Sequence, residues 1–78
     1  MDNHKVILKA DGTIIRKFKN KLHSESDIPA IDSKEIKIWY NDGIIHRNST
    51  DIRGNILPAI IYNDGGKEWW INGKRLNK

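Results

Sequence analysis

Tryptophan and basic residues are the side chains of this sequence best suited to contact a partner. Trp69 and Trp70 are followed closely by Lys74 and Arg75, and Tyr40 belongs to a similar stretch earlier in the chain. Large aromatic rings anchor binding surfaces and stack on bases, while basic side chains attract phosphate and carboxylate groups. The combination predicts a binding surface that includes Trp70, Lys74, Arg75 and Tyr40.

The two adjacent tryptophans cannot both belong to this binding surface, because neighbouring side chains of a strand point to opposite faces of a sheet. The spacing described below aligns Trp69 with Trp39, so we expect both of these rings in the core. Trp70 aligns with Tyr40 and Lys17, and we expect it to be exposed.

Histidine and arginine recur at one position. His23 and His46 have equivalent spacing, and His46 is followed by Arg47, whose planar fork could bind an anionic group. Alternatively, both histidines satisfy backbone groups of turns. Zinc normally takes four ligands, and three histidines without any cysteine make a metal site improbable.

Lysines cluster near the ends of the chain. Residues 1–23 hold six basic and two acidic groups, 24–66 hold four and seven, and 67–78 hold four and one. Lys17, Lys19 and Lys21 alternate, so on a continuing strand they would share one face. Such a surface suits an anionic ligand. A solubilising surface or a lysine-rich edge that prevents aggregation explains the same pattern.

Catalytic signatures are absent from the sequence. It contains no Gly-x-Ser-x-Gly elbow, no Walker loop, no His-Glu-x-x-His and no cysteine nucleophile. We therefore expect no enzymatic activity and no cofactor.

Short strands joined by tight turns are the elements that must position these side chains. Asp11-Gly12, Asn41-Asp42-Gly43, Asn63-Asp64-Gly65-Gly66 and Asn72-Gly73 are flanked by β-branched apolar residues, a pattern typical of type I′ hairpin turns. No long stretch has helical periodicity. We predict an all-β antiparallel meander of hairpins, with strands near residues 6–8, 13–18, 36–40, 44–46, 60–62, 68–71 and 74–76.

The hairpins form a degenerate repeat of about three units. Pro29-Ala30-Ile31 matches Pro58-Ala59-Ile60, and the second unit has an insertion, since six residues separate His23 from Pro29 and twelve separate His46 from Pro58. Other spacings also match: Asn20 to His23 and Gly43 to His46 are both three residues, and Trp39 to Gly43 and Trp69 to Gly73 are both four.

At these residues the chain resembles the MORN-like repeat variant of phages, giant viruses and some bacteria. Its units read approximately as His-Arg, a polar loop, Pro-Ala, a strand, Asp-Gly, a Trp-containing strand and Asn-Gly-Lys. The match covers residues 28–78 and, faintly, 11–31. Arg16 replaces the tryptophan of the first unit, and the last unit ends at Leu76 where His-Arg is expected, as in terminal repeats that act as caps.

The resemblance implies a scaffold or interaction role. Together with the composition it predicts one small domain, residues 1–78, that acts inside a host cell as a phage or viral accessory protein binding a host or viral protein. The alternative is capture of a nucleotide, nucleic acid or other anionic small molecule on the basic and aromatic surface, with His46, Arg47, Lys17 and Lys19 contributing.

No apolar stretch is long enough for a membrane span. Open sheet edges and a small core predict a homo-oligomer, in the simplest case a dimer.

Overall fold

The computed structural model describes residues 3–76, which form β-strands, turns and loops and contain no helix. Within that range there is therefore no helix long and apolar enough to cross a membrane. The all-β prediction is confirmed. The strands are β1 (His4–Leu8), β2 (Ile14–Phe18), β3 (Lys21–Leu22), β4 (Ile31–Asp32), β5 (Ile36–Ile38), β6 (Tyr40–Asn41), β7 (Ile44–Ile45), β8 (Ile60–Tyr62), β9 (Lys67–Ile71) and β10 (Lys74–Leu76).

The main sheet is antiparallel and follows the chain. Its strand order is β1-β2-β4-β5-β8-β9-β10, with β3 paired to β2, and β6 and β7 form a separate hairpin. We call the hairpins β2–β3, β6–β7 and β9–β10 the arms of the fold. The predicted meander is confirmed, because successive strands of the sheet remain neighbours in space.

The turns at the tips of the arms follow the predicted chemistry. Asp42 and Gly43 have φ values of 50° and 83°, and Asn72 and Gly73 have 49° and 78°. Positive φ at both central residues is the requirement of a type I′ turn. A third turn of this kind lies at Lys19 and Asn20, with φ values of 52° and 65°, which we did not predict because lysine is uncommon there.

At Asp11-Gly12 and Asp64-Gly65 the type I′ prediction is wrong. Only the glycine has positive φ in each pair, and the closing bonds run from Lys9 N to Thr13 O at 2.9 Å and from Tyr62 N to Gly66 O at 2.8 Å. These are three-residue loops that end in a left-handed glycine. The aspartate stabilises each loop by accepting a backbone bond two residues ahead, at 2.9 Å in both cases.

The seven predicted strands are all present, with two differences in detail. The predicted strand 36–40 is interrupted at Trp39, where the arm β6–β7 leaves the sheet. The short strands β3 and β4 were not predicted. The match of Pro29-Ala30-Ile31 to the segment that begins β8 was the signal that could have located β4.

Backbone hydrogen bonds repeat from unit to unit. Ser24 N donates to Tyr40 O at 2.7 Å, and Arg47 N donates to Trp70 O at 3.1 Å. The glycines of the turns repeat this relation: Gly43 N donates to Leu22 O and Gly73 N to Ile45 O, both at 2.8 Å. Each arm therefore stacks on the next through equivalent contacts.

The core is small. Among residues 3–76 the buried apolar side chains are those of Ala30, Trp39, Pro58, Ala59 and Ile60. Trp39 N donates to Ala59 O at 2.8 Å, so a large ring is paired across the sheet with a methyl group that leaves it room. A row of half-buried or buried isoleucines crosses five strands in register, namely Ile7, Ile15, Ile31, Ile38 and Ile60.

Candidate functional site

Trp39 and Trp69 hold the loops that precede each Pro-Ala pair. The Trp39 Nε1–H donates to Asp27 O at 3.1 Å, and the Trp69 Nε1–H donates to Ile56 O at 2.8 Å. Trp39 is only 5% exposed, whereas Trp69 is half-buried. A buried indole normally finds a hydrogen-bond partner, and here the partner is the same kind of loop carbonyl in two units. Both rings therefore serve the fold.

Arg47 is the most heavily bonded side chain near Trp39. Its guanidinium binds the Asp27 carboxylate with two bonds of 2.9 and 2.8 Å and donates to Pro58 O at 2.9 Å. Its Cζ lies 3.8 Å from the centre of the Trp39 ring. With a side chain only 10% exposed, Arg47 joins the loop before Pro29 to the loop before Pro58. With these partners, few N–H groups of the Arg47 guanidinium remain to bind an external anion.

Asp27 adopts an unusual backbone conformation to reach Arg47. Ser26 and Asp27 have φ values of 54° and 59°, and Ile28 N donates back to Glu25 O at 3.0 Å. The carboxylate also accepts a bond of 2.8 Å from the Ser49 hydroxyl. The hydrogen bond from Arg47, and after it that from Ser49, lowers the pKa of Asp27 despite partial burial.

Because the folded-state pKa of Asp27 is lowered, its contribution to stability is complete above the unfolded value of about 3.9 and is lost as pH falls through the folded pKa. Asn also adopts positive φ readily, so the Asp27→Asn variant removes the charge with little backbone effect. The side chain is 38% exposed and partly screened by water, so we expect a loss of about 1 kcal/mol at pH 7.

The measurement is urea unfolding of both proteins from pH 7 to pH 2.5. The difference between them should shrink as pH drops below about 4. Other carboxylates titrate equally in both proteins and cancel in that difference. A difference that stays constant over the whole range would show that the carboxylate charge of Asp27 does not stabilise the fold.

The histidines contact turn backbone. His46 Nδ1 accepts a bond of 2.9 Å from Asn72 N, and His23 Nδ1 accepts one of 3.2 Å from Asp42 N. These contacts correspond to the second interpretation of the sequence, in which the histidines satisfy turn groups. Among residues 3–76 no group of three or more His, Cys, Asp or Glu side chains is arranged to hold a metal ion.

Trp70 is half-buried, not exposed as predicted, and its indole Nε1 donates to Glu68 Oε1 at 3.0 Å. The Tyr62 hydroxyl donates to Glu68 Oε2 at 2.7 Å, and Arg75 Nε lies 3.6 Å from Oε1. We call these four residues the Glu68 cluster. The bond between Tyr62 and Glu68 raises the pKa of the tyrosine and lowers that of the glutamate. Trp70 and Arg75 thus share an internal carboxylate.

The predicted common face of Lys17, Lys19 and Lys21 is wrong. The turn at Lys19 reverses the chain, and Lys17 then pairs with Leu22 while Lys21 pairs with Phe18. Consecutive positions of β2 point to opposite faces, so Lys17 and Lys21 are separated by the sheet. Lys19 is exposed and lies 5.3 Å from the centre of the Phe18 ring.

The remaining predicted contacts lie on different elements from those lysines. Lys74 is exposed on β10, opposite Ile71. Tyr40 is half-buried in the arm β6–β7, opposite Ile45. The structure therefore brings Trp70 and Arg75 together but places Tyr40 on β6, Lys17 on β2 and Lys19 in the turn after β2.

The insertion of the second unit forms a closed loop, residues 49–57, which we call the insertion loop. Its base is fastened by the bond from Leu57 N to Ser49 O at 2.9 Å and by pairing of Thr50 with Ile56. At its tip, Asp51 Oδ1 accepts bonds from Arg53 N at 2.8 Å and from Asn55 N at 3.0 Å. The loop is consequently ordered by its own hydrogen bonds.

Ile52 stands at the tip of the insertion loop with a relative exposure of 104%. We did not predict a role for it. The signal was available, since Ile52 is the single apolar residue in the polar stretch 47–55.

Searches against models of protein families, curated proteins and solved structures found no match to this chain. The resemblance to the MORN-like repeat variant therefore stays a prediction that depends on the sequence motifs.

Proposed function

We propose that this chain is a non-enzymatic binding protein that contacts a protein partner through the insertion loop. The observation that carries the proposal is the full exposure of Ile52 on a loop fixed by hydrogen bonds. Binding costs less free energy when the contacting segment is already ordered. The partner should offer an apolar pocket for Ile52 and acidic groups for the neighbouring exposed Arg53.

The repeat itself does not require this loop. The first unit connects His23 to Pro29 with half the spacing that the second unit uses between His46 and Pro58. Loops carried on a rigid scaffold are where binding residues concentrate. The additional residues of the second unit are thus better explained by binding than by folding.

Capture of an anionic ligand has less support from the geometry. Arg47 is bonded internally, and a carboxylate lies at the centre of the Glu68 cluster where a phosphate would have to bind. The role as a phage or viral accessory protein inside a host cell follows from the resemblance and stays part of the proposal.

Replacing Ile52 with serine should weaken partner binding about tenfold or more while leaving the thermal unfolding curve unchanged, because the side chain buries no area in the fold. The partner is first captured by a photo-crosslinking residue at position 52, in cells of the natural context. Position 34 is the control, since Lys34 is exposed in a turn of the same unit.

A purified partner then allows affinity to be measured for the wild type and for Ile52→Ser. One stoichiometric product from position 52 but not from 34, followed by the loss of affinity, supports the proposal. Equal, unspecific products from both positions contradict it.

A further inference from the structure

The first strand of the sheet has an open edge. Lys9 N donates to Thr13 O and Lys19 N donates to Asn3 O, at 2.9 and 3.0 Å, so the odd-numbered residues of β1 bond to β2. In an antiparallel ladder the alternate residues direct their N–H and C=O groups to the other side. Val6 and Leu8 therefore present these groups at the edge of the sheet.

The middle of this edge is apolar, between the exposed Lys5 and the exposed Lys9. Val6 is 66% exposed and Leu8 is 72% exposed. Exposed apolar edge strands are normally blunted by charge because they invite pairing with another chain. At the opposite edge, β10 carries the adjacent exposed residues Lys74 and Arg75, whereas β1 has three consecutive apolar residues between Lys5 and Lys9.

From this geometry we infer that β1 pairs antiparallel with β1 of a second copy of this chain, about a two-fold axis at Ile7. In that register Val6 of each copy lies opposite Leu8 of the other, and both exchange backbone hydrogen bonds. Ile7 meets Ile7 on the opposite face. The strand is thus complementary to itself, as a two-fold interface requires.

Two further features favour a second copy of this chain as the partner that pairs with the edge of β1. The row of isoleucines that begins at Ile7 and crosses five strands would continue without interruption into the partner. A small domain with five buried apolar residues in its described part also gains more than a large one from an added strand. Head-to-tail pairing of β1 with β10 would instead extend without closure.

The proposed register makes a prediction about salt. Lys5 of each copy would lie opposite Lys9 of the other, and like charges opposite one another are destabilising. Salt screens such exposed pairs. Dimerisation should therefore strengthen with ionic strength, whereas binding of an anion on the same basic strands would weaken.

Cysteine crosslinking tests the register, because the chain contains no cysteine of its own. Residues at a non-hydrogen-bonded pair are about 4.5 Å apart between Cα atoms, within disulfide range. Under mild oxidation Ile7→Cys should form disulfide dimers faster than Val6→Cys or Ile52→Cys, although both control positions are more exposed. Random collision would give the reverse order.

A mixture of Val6→Cys with Leu8→Cys provides a second crosslink that does not alter the half-buried Ile7. It should form mixed dimers faster than either variant forms its own. Sedimentation velocity up to about 1 mM completes the test: the wild type should dimerise, Val6→Lys should dissociate at least about tenfold more readily, and Ile52→Lys should behave as wild type.

A wild type that stays monomeric, or crosslinking that follows exposure, would overturn the inference. Capture of a different extended peptide at β1 would appear as a wild type that is monomeric alone. None of these outcomes depends on the insertion loop, so they leave the proposed function untouched.

Discussion

Trp39→Ala should remove a large share of the free energy of unfolding at 25 °C. Trp39 is 5% exposed and is the largest buried side chain in the described part of the chain. Truncating such a residue costs about 3–5 kcal/mol. A domain of 78 residues has a total stability of about 4–12 kcal/mol. The truncation also frees Asp27 O and removes the ring beneath the Arg47 guanidinium.

Far-UV circular dichroism during urea unfolding measures this loss. Trp70→Ala is the matched control, because Trp70 is half-buried and its indole bonds to the Glu68 side chain instead of a loop carbonyl. It should cost clearly less than Trp39→Ala. Trp39→Phe keeps most of the apolar volume and loses the hydrogen bond, for which we expect about 1–2 kcal/mol. Equal losses for Trp39→Ala and Trp70→Ala would contradict the assignment of Trp39 as the centre of the core.

Local sequence chemistry was sufficient for two of the hairpin turns and for most strands of the sheet. Asp42-Gly43 and Asn72-Gly73 contain residues that tolerate positive φ, and apolar residues flank them, so turn type and strand positions were predictable. Lys19-Asn20 has the same conformation, although lysine gives no sequence signal for positive φ. The arm that this turn closes bonds to the next arm through Gly43 N and Leu22 O, a contact that no local sequence pattern shows.

Long-range partners were not predictable in the same way. Arg47 was proposed as an anion ligand because its charge was known and its partner was not. The carboxylate that binds it is twenty residues away and is positioned by left-handed backbone at Ser26 and Asp27. The charged cluster at Glu68 gave the same difficulty for Trp70. In both cases an acidic side chain of the same chain accepts hydrogen bonds from the donors of Arg47 and Trp70. The sequence alone does not identify these acceptors.

The second large effect is expected for Arg47→Ala, at about 2–3 kcal/mol. The variant loses the two-bond contact with Asp27, the stacking on Trp39 and the donor to Pro58 O. Because Asp27 is 38% exposed, water can solvate its carboxylate again, so the cost stays below that of a fully buried broken pair. Arg47→Lys should recover less than half, since an ammonium cannot reproduce the fork.

Arg16→Ala measures the contribution of an arginine bond to a proline carbonyl without the carboxylate bonds that Arg47 also makes. Arg16 donates to Pro29 O at 2.9 Å, as Arg47 does to Pro58 O, but within residues 3–76 it has no carboxylate partner. Its replacement should cost about 1 kcal/mol.

In a double-mutant cycle, the stability loss of Arg47→Ala combined with Asp27→Asn should fall short of the sum of the single losses by about 1 kcal/mol. If the losses add, the two side chains do not stabilise one another.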